Sequence, residues 1–406
     1  MKLSEVAYKI NGTLVGGDRE ISDFQTDSRK CKENSLFFTL KGNKHDGHEF
    51  LHDVYKVGGM AIVEKKTNFV PHIEVENSLK SLTSLAFSKI KNSLRIAVTG
   101  SCGKTTTKDM IAFLLQQHGR VVKTRGNLNT DVGISLSILN AQEDAPQYAV
   151  LEMGARFVGD VKYLAKIFRP HISLITCVGS AHSKYIDPIV EKSSIAEETE
   201  KFVLFNDEKL EKLLGGKGKK SKKYVKNVVY DGLNTIVEID GKRYSLKGIW
   251  GEGQISDLEL SLSLMDELGL SYDVEEISHF IFPQNRMHVE KIGDFVLIND
   301  TYNSNLESME NAAKVAWKLS QGRSVWVLAP MEEIENSYVM EKMHALREKY
   351  DPKIIFNVKE GFYPFGEPFS IKKLKSSLET GMVILVKGSR VYELEKIAEE
   401  IKDAIT

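Results

Sequence analysis

The sequence predicts an α/β fold divided into three domains. Three observations support this: the chain has 406 residues, strand-like apolar runs alternate with stretches of helical spacing, and this alternation starts again late in the chain. We expect domains at residues 1–83, 84–282 and 283–406, each with its own hydrophobic core.

Composition excludes several classes of function. Lysine and arginine number 55 against 56 acidic residues, so the net charge of −1 gives no attraction to nucleic acid or anionic membranes. The first residues lack the apolar core of a signal peptide, and no apolar run approaches the ~20 residues that span a bilayer. Three cysteines without metal-site spacing indicate a reducing compartment. We expect a cytoplasmic protein with no nucleic-acid partner and no membrane insertion.

The N-terminal region has the pattern of a small α/β unit. Residues 35–40 and 60–63 are predicted strands. One polar cluster, Asp27-Ser28-Arg29, precedes the first strand, and another, Asp46-Gly47-His48, follows it. From the residues alone, both clusters are typical of turns, which short polar side chains and glycine stabilise.

A phosphate-binding loop is predicted at the start of the central region. Residues 94–98 form an apolar strand, a glycine-rich turn follows, and residues 108–117 have helical spacing. In such loops backbone N–H groups and a helix N-terminus face the phosphates, Lys104 adds a full charge, and the Thr105 hydroxyl can hold Mg²⁺. Val98 stands where the general motif has a glycine, so the match is to a tighter form of the loop. The residues predicted to bind ATP here are Thr99, Gly100, Ser101, Cys102, Gly103, Lys104, Thr105 and Thr106.

Polar side chains follow other predicted strands of the central region. Glu152 ends the strand at residues 148–153, and His182 follows the strand at residues 172–178, with a helix predicted at 158–168 between them. Ligands bind at the carboxyl ends of parallel strands, so Glu152 and His182 are candidates for a Mg²⁺ site together with Thr105. The alternatives are a capping or paired carboxylate and a histidine satisfied by hydrogen bonds. Asn127, Asn129 and Asp131 form a predicted polar turn.

The rest of the central region contains no further predicted site. The lysine-rich residues 215–223 are interpreted as a solvated loop, because no aromatic residues are interleaved with the charges. Residues 235–239 and 243–246 form a predicted hairpin around Asp240-Gly241, and residues 255–268 a predicted helix.

The third region repeats the alternation and is predicted to be a Rossmann-like α/β domain. Strands are expected at residues 295–298, 324–328, 353–356 and 382–386, and helices at 306–319, 337–349, 371–378 and 392–401. Two polar stretches follow strands, at residues 299–305 and 387–390. The second, Lys387-Gly388-Ser389-Arg390, has the charges and helix start suited to an anion. A capped turn is the alternative for both stretches.

Taken together, the chain resembles the Mur ligases, which build the peptide stem of the bacterial cell-wall precursor. Val98-Thr99-Gly100-Ser101-Cys102-Gly103-Lys104-Thr105-Thr106 matches their phosphate loop, including the missing glycine. Three motifs are similar to the subgroup that adds D-alanyl-D-alanine to UDP-N-acetylmuramoyl-tripeptide: Leu151-Glu152-Met153-Gly154-Ala155, Asp300-Thr301-Tyr302-Asn303-Ser304-Asn305 and Lys387-Gly388-Ser389-Arg390. The two N-terminal clusters match a UDP-handling domain shared with the ligase that adds the third stem residue, which is the second possibility.

The resemblance implies a reaction and a set of site residues. ATP would phosphorylate the substrate's terminal carboxylate, and the amine of D-alanyl-D-alanine would attack the acyl phosphate, in the service of peptidoglycan synthesis and so of cell shape and division. We expect ATP and Mg²⁺ as cofactors and a monomer. The implied catalytic residues are Lys104, Glu152, His182 and Lys387, and the implied metal ligands are Thr105, Glu152 and His182. Further nucleotide contacts are implied at Gln254, Asp257, Arg286, Asp300, Tyr302 and Asn303. Substrate contacts are implied at Asp27, Ser28, Arg29, Asp46, Gly47, His48, Asn127, Asn129, Lys387, Ser389 and Arg390.

Some positions depart from the family pattern. Gly253-Gln254 and Asp257 replace His-Asn and Asn, residues that help to hold the nucleotide base. The family also has a lysine after the histidine, carbamylated in some members, and residues 195–201 place no lysine in register. Ala329-Pro330 replaces Gly-Asp, Leu306 a proline and Asn285 a glycine. These changes motivate one further hypothesis, a non-catalytic regulator that binds nucleotide or UDP-sugar.

Overall fold

A computed structural model gives the fold, and it describes residues 1–180 and 187–406. This part of the chain contains one sheet of five strands, two of six and one of three. Helices pack against mostly parallel sheets, so the predicted α/β class is confirmed.

The N-terminal part forms the five-stranded sheet. Its helices and strands are α1 (Leu3–Lys9), β1 (Thr13–Val15), β2 (Asp23–Gln25), β3 (Ser35–Phe38), α2 (Leu51–Lys56), β4 (Met60–Val63), β5 (His72–Glu74) and α3 (Ser78–Ile90). The strand order is β1-β5-β4-β3-β2, and β1 is antiparallel to β5 while the other pairs are parallel. Strands β3 and β4 are buried along their whole length, which explains why their apolar runs predict them.

The central part carries a six-stranded, fully parallel sheet and a small antiparallel one. Its helices and strands are β6 (Leu94–Thr99), α4 (Lys104–Leu115), β7 (Val121–Lys123), α5 (Asp131–Leu139), β8 (Tyr148–Glu152), α6 (Asp160–Phe168), β9 (Ile172–Ile175), α7 (Pro188–Ser193), α8 (Ile195–Glu198), β10 (Phe202–Phe205), α9 (Glu211–Leu214), β11 (Gly218–Lys220), β12 (Val225–Asp231), β13 (Asn234–Ile239), β14 (Lys242–Lys247) and α10 (Glu252–Glu267). The large sheet has the order β11-β10-β9-β6-β8-β7. Strand β6, which leads into the phosphate-binding loop, therefore lies inside the sheet between β9 and β8.

The prediction of a solvated loop at residues 215–223 is wrong in part. Residues 218–220 form the edge strand β11, which pairs in parallel with β10. Lysines of this stretch pair with acids that include several on α10, as in the contacts of Lys222 with Asp266 and Lys223 with Glu259, both 2.8 Å. A lysine-rich edge strand is a known protection against edge-to-edge association, and its lack of apolar residues hides it from pattern analysis.

Two local predictions have clear outcomes. The hairpin of β13 and β14 is confirmed, and its turn residues Asp240 and Gly241 both have positive φ, 50° and 76°, as two-residue hairpin turns require. Asp131, expected in a polar turn, instead begins helix α5, which Thr130 caps by accepting a hydrogen bond from the Gly133 N–H at 3.2 Å.

The C-terminal part forms the second six-stranded sheet. Its elements are β15 (His288–Ile292), β16 (Phe295–Asp300), α11 (Leu306–Ser320), β17 (Ser324–Leu328), α12 (Asn336–Tyr350), β18 (Ile354–Asn357), β19 (Glu367–Pro368), α13 (Ile371–Ser377), β20 (Val383–Lys387) and α14 (Leu394–Ile405). The order is β15-β16-β20-β17-β18-β19, with β15 antiparallel and the rest parallel. The register sets Asp300 at the end of β16 directly beside Lys387 at the end of β20.

The hydrophobic cores join the N-terminal and central parts. One core combines the N-terminal sheet with α3, α5 and α6, through residues such as Leu82, Leu85, Ile134 and Leu164. The expected boundary at residue 83 lies inside α3. On the other face of the central sheet, α10 packs against α4. In the described ranges, every helix is too short or too polar to cross a membrane.

Candidate active site

A cleft of about 530 Å³ lies at the carboxyl ends of the central sheet's strands. The phosphate-binding loop and Glu152 line it from the central part, and Arg286 and Lys387 line it from the C-terminal part. Carboxyl ends of parallel strands are the usual ligand position in open α/β sheets. Both halves of the site predicted from sequence therefore meet in one cavity.

The phosphate-binding loop, residues 99–106, depends on two glycines. Gly100 has a φ of 147°, and a Cβ there would lie 2.0 Å from the Thr176 hydroxyl. Gly103 has a φ of 80° and precedes α4, where a Cβ would lie 2.3 Å from Asp257 Oδ1. Other residues are excluded at both positions by backbone strain and by contact, so the glycine spacing predicted from sequence has a steric cause.

Lys104 lies folded over this loop. Its Nζ donates to the carbonyl oxygens of Gly100 at 2.7 Å and Ser101 at 3.3 Å. Both partners are neutral, so neither contact cancels the charge of the ammonium group. The position suits a lysine that moves onto incoming phosphate oxygens.

Glu152 is buried, and its carboxylate connects the loop to its neighbours. Oε2 accepts from the Thr105 hydroxyl at 2.8 Å, and Oε1 accepts from Asn129 Nδ2 at 2.9 Å. The oxygens of Thr105 and Glu152 thus lie within hydrogen-bond distance of each other at the cleft. A hydroxyl beside a carboxylate is a donor set that fits Mg²⁺, which prefers oxygen ligands and completes its shell with water and phosphate.

Lys108 is a buried cation that sequence reasoning missed. It lies one turn after Lys104 on α4, and its Nζ donates to the carbonyls of Thr124 at 2.8 Å and Gly126 at 3.0 Å. Burial lowers its pKa. The lysine fixes the loop that carries Asn127 and Asn129 to the cleft. Its burial is visible only once α4 is packed, so no pattern in the sequence signals it.

Asp257 on α10 lies against the loop at Gly103. It is buried, and burial raises the pKa of its carboxyl group to about 8. Near neutral pH the group is therefore largely protonated, so it resembles a neutral amide side chain more than an aspartate. The resemblance described above implies asparagine at this position, and the protonated carboxyl retains that neutrality.

The C-terminal part closes over the loop through Arg286. Its Nη2 donates to the Thr105 hydroxyl at 3.0 Å, and its guanidinium carbon lies 3.8 Å from the centre of the Tyr302 ring. This short cation–π contact holds the arginine across the cleft. Asn305 Nδ2 also reaches the Ser101 carbonyl, at 3.5 Å.

A second contact between the two parts joins helix α11 to the central sheet. The Glu307 carboxylate accepts from the Ser180 N–H and from the Ser180 hydroxyl, both at 2.8 Å. Further along α11, Asn311 accepts from the Gly253 N–H at 2.9 Å and donates to Gln254 Oε1 at 3.1 Å. Gln254 lines the cleft, where its Oε1 already accepts from the C-terminal part, and its nucleotide contact stays a prediction.

Lys387 is buried and paired. Its Nζ donates to Asp300 Oδ2 at 2.5 Å and to the Asn303 carbonyl at 3.1 Å. Asp300 also accepts from the Met287 N–H at 3.0 Å. Lys387, Asp300, Tyr302 and Asn303 all line the cleft, so the two motifs that follow β16 and β20 are brought together as the sheet register requires.

Other predicted substrate residues lie outside the cleft lining. Ser389 and Arg390 follow Lys387, and Arg390 Nη1 bonds to Glu395 at 2.6 Å.

The N-terminal clusters lie away from the cleft lining as well. Asp27 accepts from the Arg29 backbone N–H at 3.1 Å and from its Nε at 2.8 Å, within a short turn that begins at Ser28. Asp46 binds His48 Nδ1 and Lys65 Nζ, both at 2.6 Å, beside Gly47. The turn chemistry expected for both clusters is present, and their proposed role in substrate binding stays a prediction.

His182 lies outside the described residues, so its predicted role stays untested. Helix α7 carries a buried lysine. Lys192 on α7 is 1% exposed, and burial, with Lys104 as the next largest cause, lowers its pKa to about 7. It precedes Ile195 by three residues, just before the stretch where a lysine was sought. The preceding Glu191, which accepts from the Gly159 and Val161 N–H groups, anchors the same helix.

Comparison with known proteins gives consistent matches. Residues 98–246 match the Mur ligase middle domain family. The UDP-N-acetylmuramoyl-tripeptide–D-alanyl-D-alanine ligase of Borreliella burgdorferi is 29% identical, with 97% of both chains covered. The same enzyme of Buchnera aphidicola subsp. Acyrthosiphon pisum is 27% identical over 99% of this chain and 98% of its own. The crystal structure of MurF ligase from Thermotoga maritima in complex with ADP has a TM-score of 0.84 and 26% identity, covering 94% of this chain and 97% of that one.

Proposed function

The chain belongs to the Mur ligase family, and we propose that it joins D-alanyl-D-alanine to UDP-N-acetylmuramoyl-tripeptide with ATP, in peptidoglycan precursor synthesis. The observation that carries the proposal is the cleft in which the phosphate-binding loop faces Arg286 of another domain, with the paired Lys387 and Asp300 in the same lining. Cations supplied from a second domain stabilise the charge that develops on a transferred phosphoryl group. A ligase needs them, because its reacting carboxylate and amine meet beside the phosphate.

The first step transfers the γ-phosphoryl group of ATP to the terminal carboxylate of the tripeptide. The P–O bond to ADP breaks as the bond to the carboxylate oxygen forms, which gives an acyl phosphate and ADP. Backbone N–H groups of residues 100–105 and the Lys104 ammonium would hold the phosphate oxygens and stabilise their developing charge. Lys104 is suited to this because its present partners are neutral carbonyls.

The second step forms the peptide bond. The free amine of D-alanyl-D-alanine attacks the acyl phosphate carbon, and the tetrahedral intermediate expels inorganic phosphate as the nitrogen gives up a proton to it. Arg286, which lies at Thr105, is placed to neutralise the oxygens of the leaving phosphate. The contact of Glu307 with Ser180 would help to keep the cleft closed, which limits hydrolysis of the acyl phosphate by water.

Mg²⁺ fits the oxygen donors of this site, and we propose that Thr105 and Glu152 hold it. When bound, the ion would supply charge neutralisation to the phosphates. We also propose that Lys192 is the equivalent of the lysine that is carbamylated in some family members. A buried lysine with a pKa near 7 has the neutral amine that carbamylation requires.

The N-terminal domain is proposed to bind the UDP end of the substrate through residues 27–29 and 46–48. Arg29 is exposed, and its guanidinium is suited to phosphate once it leaves Asp27.

The test is product formation. Purified protein is incubated with UDP-N-acetylmuramoyl-tripeptide, D-alanyl-D-alanine and ATP with Mg²⁺, and the expected result is a UDP-linked pentapeptide by mass and one ADP per product. L-alanyl-L-alanine in place of the D-dipeptide is the matched control. A second reaction offers UDP-N-acetylmuramoyl-dipeptide with diamino acids. Product only in that second reaction would replace our assignment with the ligase of the third stem residue.

A further inference from the structure

Two of the three cysteines lie opposite each other at the phosphate-binding loop. Cys102 is in the loop, and Cys177 lies two residues beyond the end of β9. Their backbones form an isolated antiparallel bridge. Directly opposed antiparallel residues have Cα atoms about 4.5–5.5 Å apart, within the roughly 4.4–6.8 Å that a disulfide spans. The backbone is thus already at disulfide distance.

The two thiols face each other and line the cleft. Both residues are partly exposed, and both border the cavity. The hydrogen bond with the Cys177 thiol is the largest reason that the pKa of Cys102 lies well above its usual range. Reagents that enter the cleft therefore reach a pair of thiols in contact.

We propose that Cys102 and Cys177 are a redox modification site, at which a reversible disulfide closes the phosphate-binding loop to nucleotide. The inference rests on the proposed function of this loop in ATP binding. No part of the ligase reaction requires the pair.

The chemistry needs a two-electron oxidant, for which we name hydrogen peroxide. A thiolate attacks one peroxide oxygen, which breaks the O–O bond and gives a sulfenic acid and water. The second thiol then attacks that sulfur, and a second water leaves as the S–S bond forms. The balance is two thiols and one peroxide to one disulfide and two waters, and dithiothreitol reverses it by thiol–disulfide exchange.

The disulfide would act on the loop because the loop is already held to the residues around Cys177. The Ser101 N–H donates to the Cys177 carbonyl at 2.7 Å, and the Thr176 hydroxyl donates to the Cys102 carbonyl at 2.5 Å. A covalent bond between Cys102 and Cys177 would fix the loop in this arrangement and restrict movement of its N–H groups toward phosphate oxygens, so we expect nucleotide and disulfide to compete for the loop.

Cys31 supplies the matched control. It lies in the N-terminal part, where its Sγ donates to the Asp27 carbonyl at 3.7 Å, and it does not line the cleft. Because Cys102 and Cys177 lie opposite each other at the loop, Cys31 has no cysteine beside it with which a disulfide could form.

The experiment treats the full-length protein with hydrogen peroxide and measures two properties. Mass spectrometry of an unreduced digest should show the Cys102 and Cys177 peptides joined with loss of two hydrogens. Calorimetry should show ADP binding at least tenfold weaker, and dithiothreitol should restore it. Cys177→Ser and Cys102→Ser, each compared with its own untreated sample, should lose the response, while Cys31→Ser should keep it.

The outcomes separate this inference from the proposed function. Absence of the linked peptides, or a linked protein that binds ADP as tightly as the reduced one, overturns the redox site. An equal loss of ADP binding in treated Cys177→Ser also overturns it, because the damage then lies elsewhere. Failure of the reduced protein to bind ADP at all contradicts the proposed function instead.

Discussion

Lys104 and Lys387 both line the cleft, yet their surroundings are opposite. Lys104 contacts the carbonyl oxygens of Gly100 and Ser101, whereas Lys387 is buried and forms a 2.5 Å contact with the Asp300 carboxylate. A charge that faces dipoles stays available to an anion, while a charge paired with a buried carboxylate is largely compensated. We therefore expect that Lys104 acts directly on phosphate, and that Lys387 mainly holds the ends of β16 and β20 in register.

Replacing Lys104 should give the largest effect. Lys104→Ala removes the cation proposed to stabilise the transferred phosphoryl group, so turnover should fall by about 10³-fold, as for loss of one strong charge-stabilising group. The thermal transition should stay nearly unchanged, because only contacts to two carbonyls are lost. Steady-state ADP release with substrate and differential scanning calorimetry measure the two effects.

The matched control is Lys123→Ala, a partly exposed lysine of the same domain that pairs with Asp109. It should leave turnover within about twofold, as surface ion pairs contribute little. Equal activity of Lys104→Ala and Lys123→Ala would remove the loop lysine from the mechanism.

Removing Lys387 from its pair with Asp300 should first lower the stability of the protein. Lys387→Met leaves Asp300 buried without its partner, and we expect the C-terminal domain to lose roughly 3 kcal/mol of unfolding free energy. The double change Lys387→Met with Asp300→Asn removes both charges and should recover most of that loss, because the introduced amide keeps an oxygen that accepts from the Met287 N–H. Thermal unfolding of the three proteins gives the measurement.

The activity of the same proteins distinguishes a positioning role of Lys387 from direct contact with the substrate. If the double variant regains stability and turnover together, Lys387 is a positioning residue. If the double variant regained stability but not turnover, the Lys387 ammonium group itself would contact the substrate, which would contradict our expectation.

The sequence predicted the parts of the fold and site that depend on local pattern. Strands such as β4, β17 and β20 are buried on both faces, so an apolar run is sufficient to identify them. Gly100 and Gly103 could be placed because phosphate loops have a fixed local geometry. Edge strands made of polar residues, such as β11, have no apolar run from which they could be predicted.

The remaining parts of the site depend on packing between distant segments. Asp257 meets Gly103 only because α10 packs on α4, and Lys108 and Lys192 acquire their shifted pKa only when helices bury them. Residues 195–201 contain no lysine in register with the family pattern, and the buried Lys192, proposed as its equivalent, lies on the short helix before them. Burial of a charged side chain is a property of the folded chain, and no spacing rule predicts it.

Asp257 gives a pH test of the loop that holds Lys104. Its pKa, raised from 3.8 to about 8, means that the folded protein binds this proton more tightly than the unfolded chain. Stability should therefore fall as pH rises from about 4 to about 8, and above pH 8 a negative charge appears beside the phosphate loop. We expect ADP binding to weaken about tenfold between about pH 7 and about pH 9.

Asp257→Asn should abolish the weakening of ADP binding at alkaline pH, since the amide stays neutral. Calorimetric titration with ADP at several pH values, on both proteins, makes the comparison. Parallel pH curves for the two proteins would contradict a protonated Asp257.

The smallest effect is expected at the contact between Glu307 and Ser180, which joins the C-terminal part to the central part. Glu307 on α11 accepts two hydrogen bonds from Ser180, both charge-assisted. Glu307→Gln keeps the shape but removes the charge, so closure over ATP should weaken and the KM for ATP should rise about fivefold. Glu310→Gln on the same helix, which faces Lys349 within the C-terminal domain, should change it by less than about twofold. If both substitutions raised the KM for ATP equally, the cause would be a general disturbance of α11. Both residues lie on that helix, but of the two only Glu307 contacts the central part.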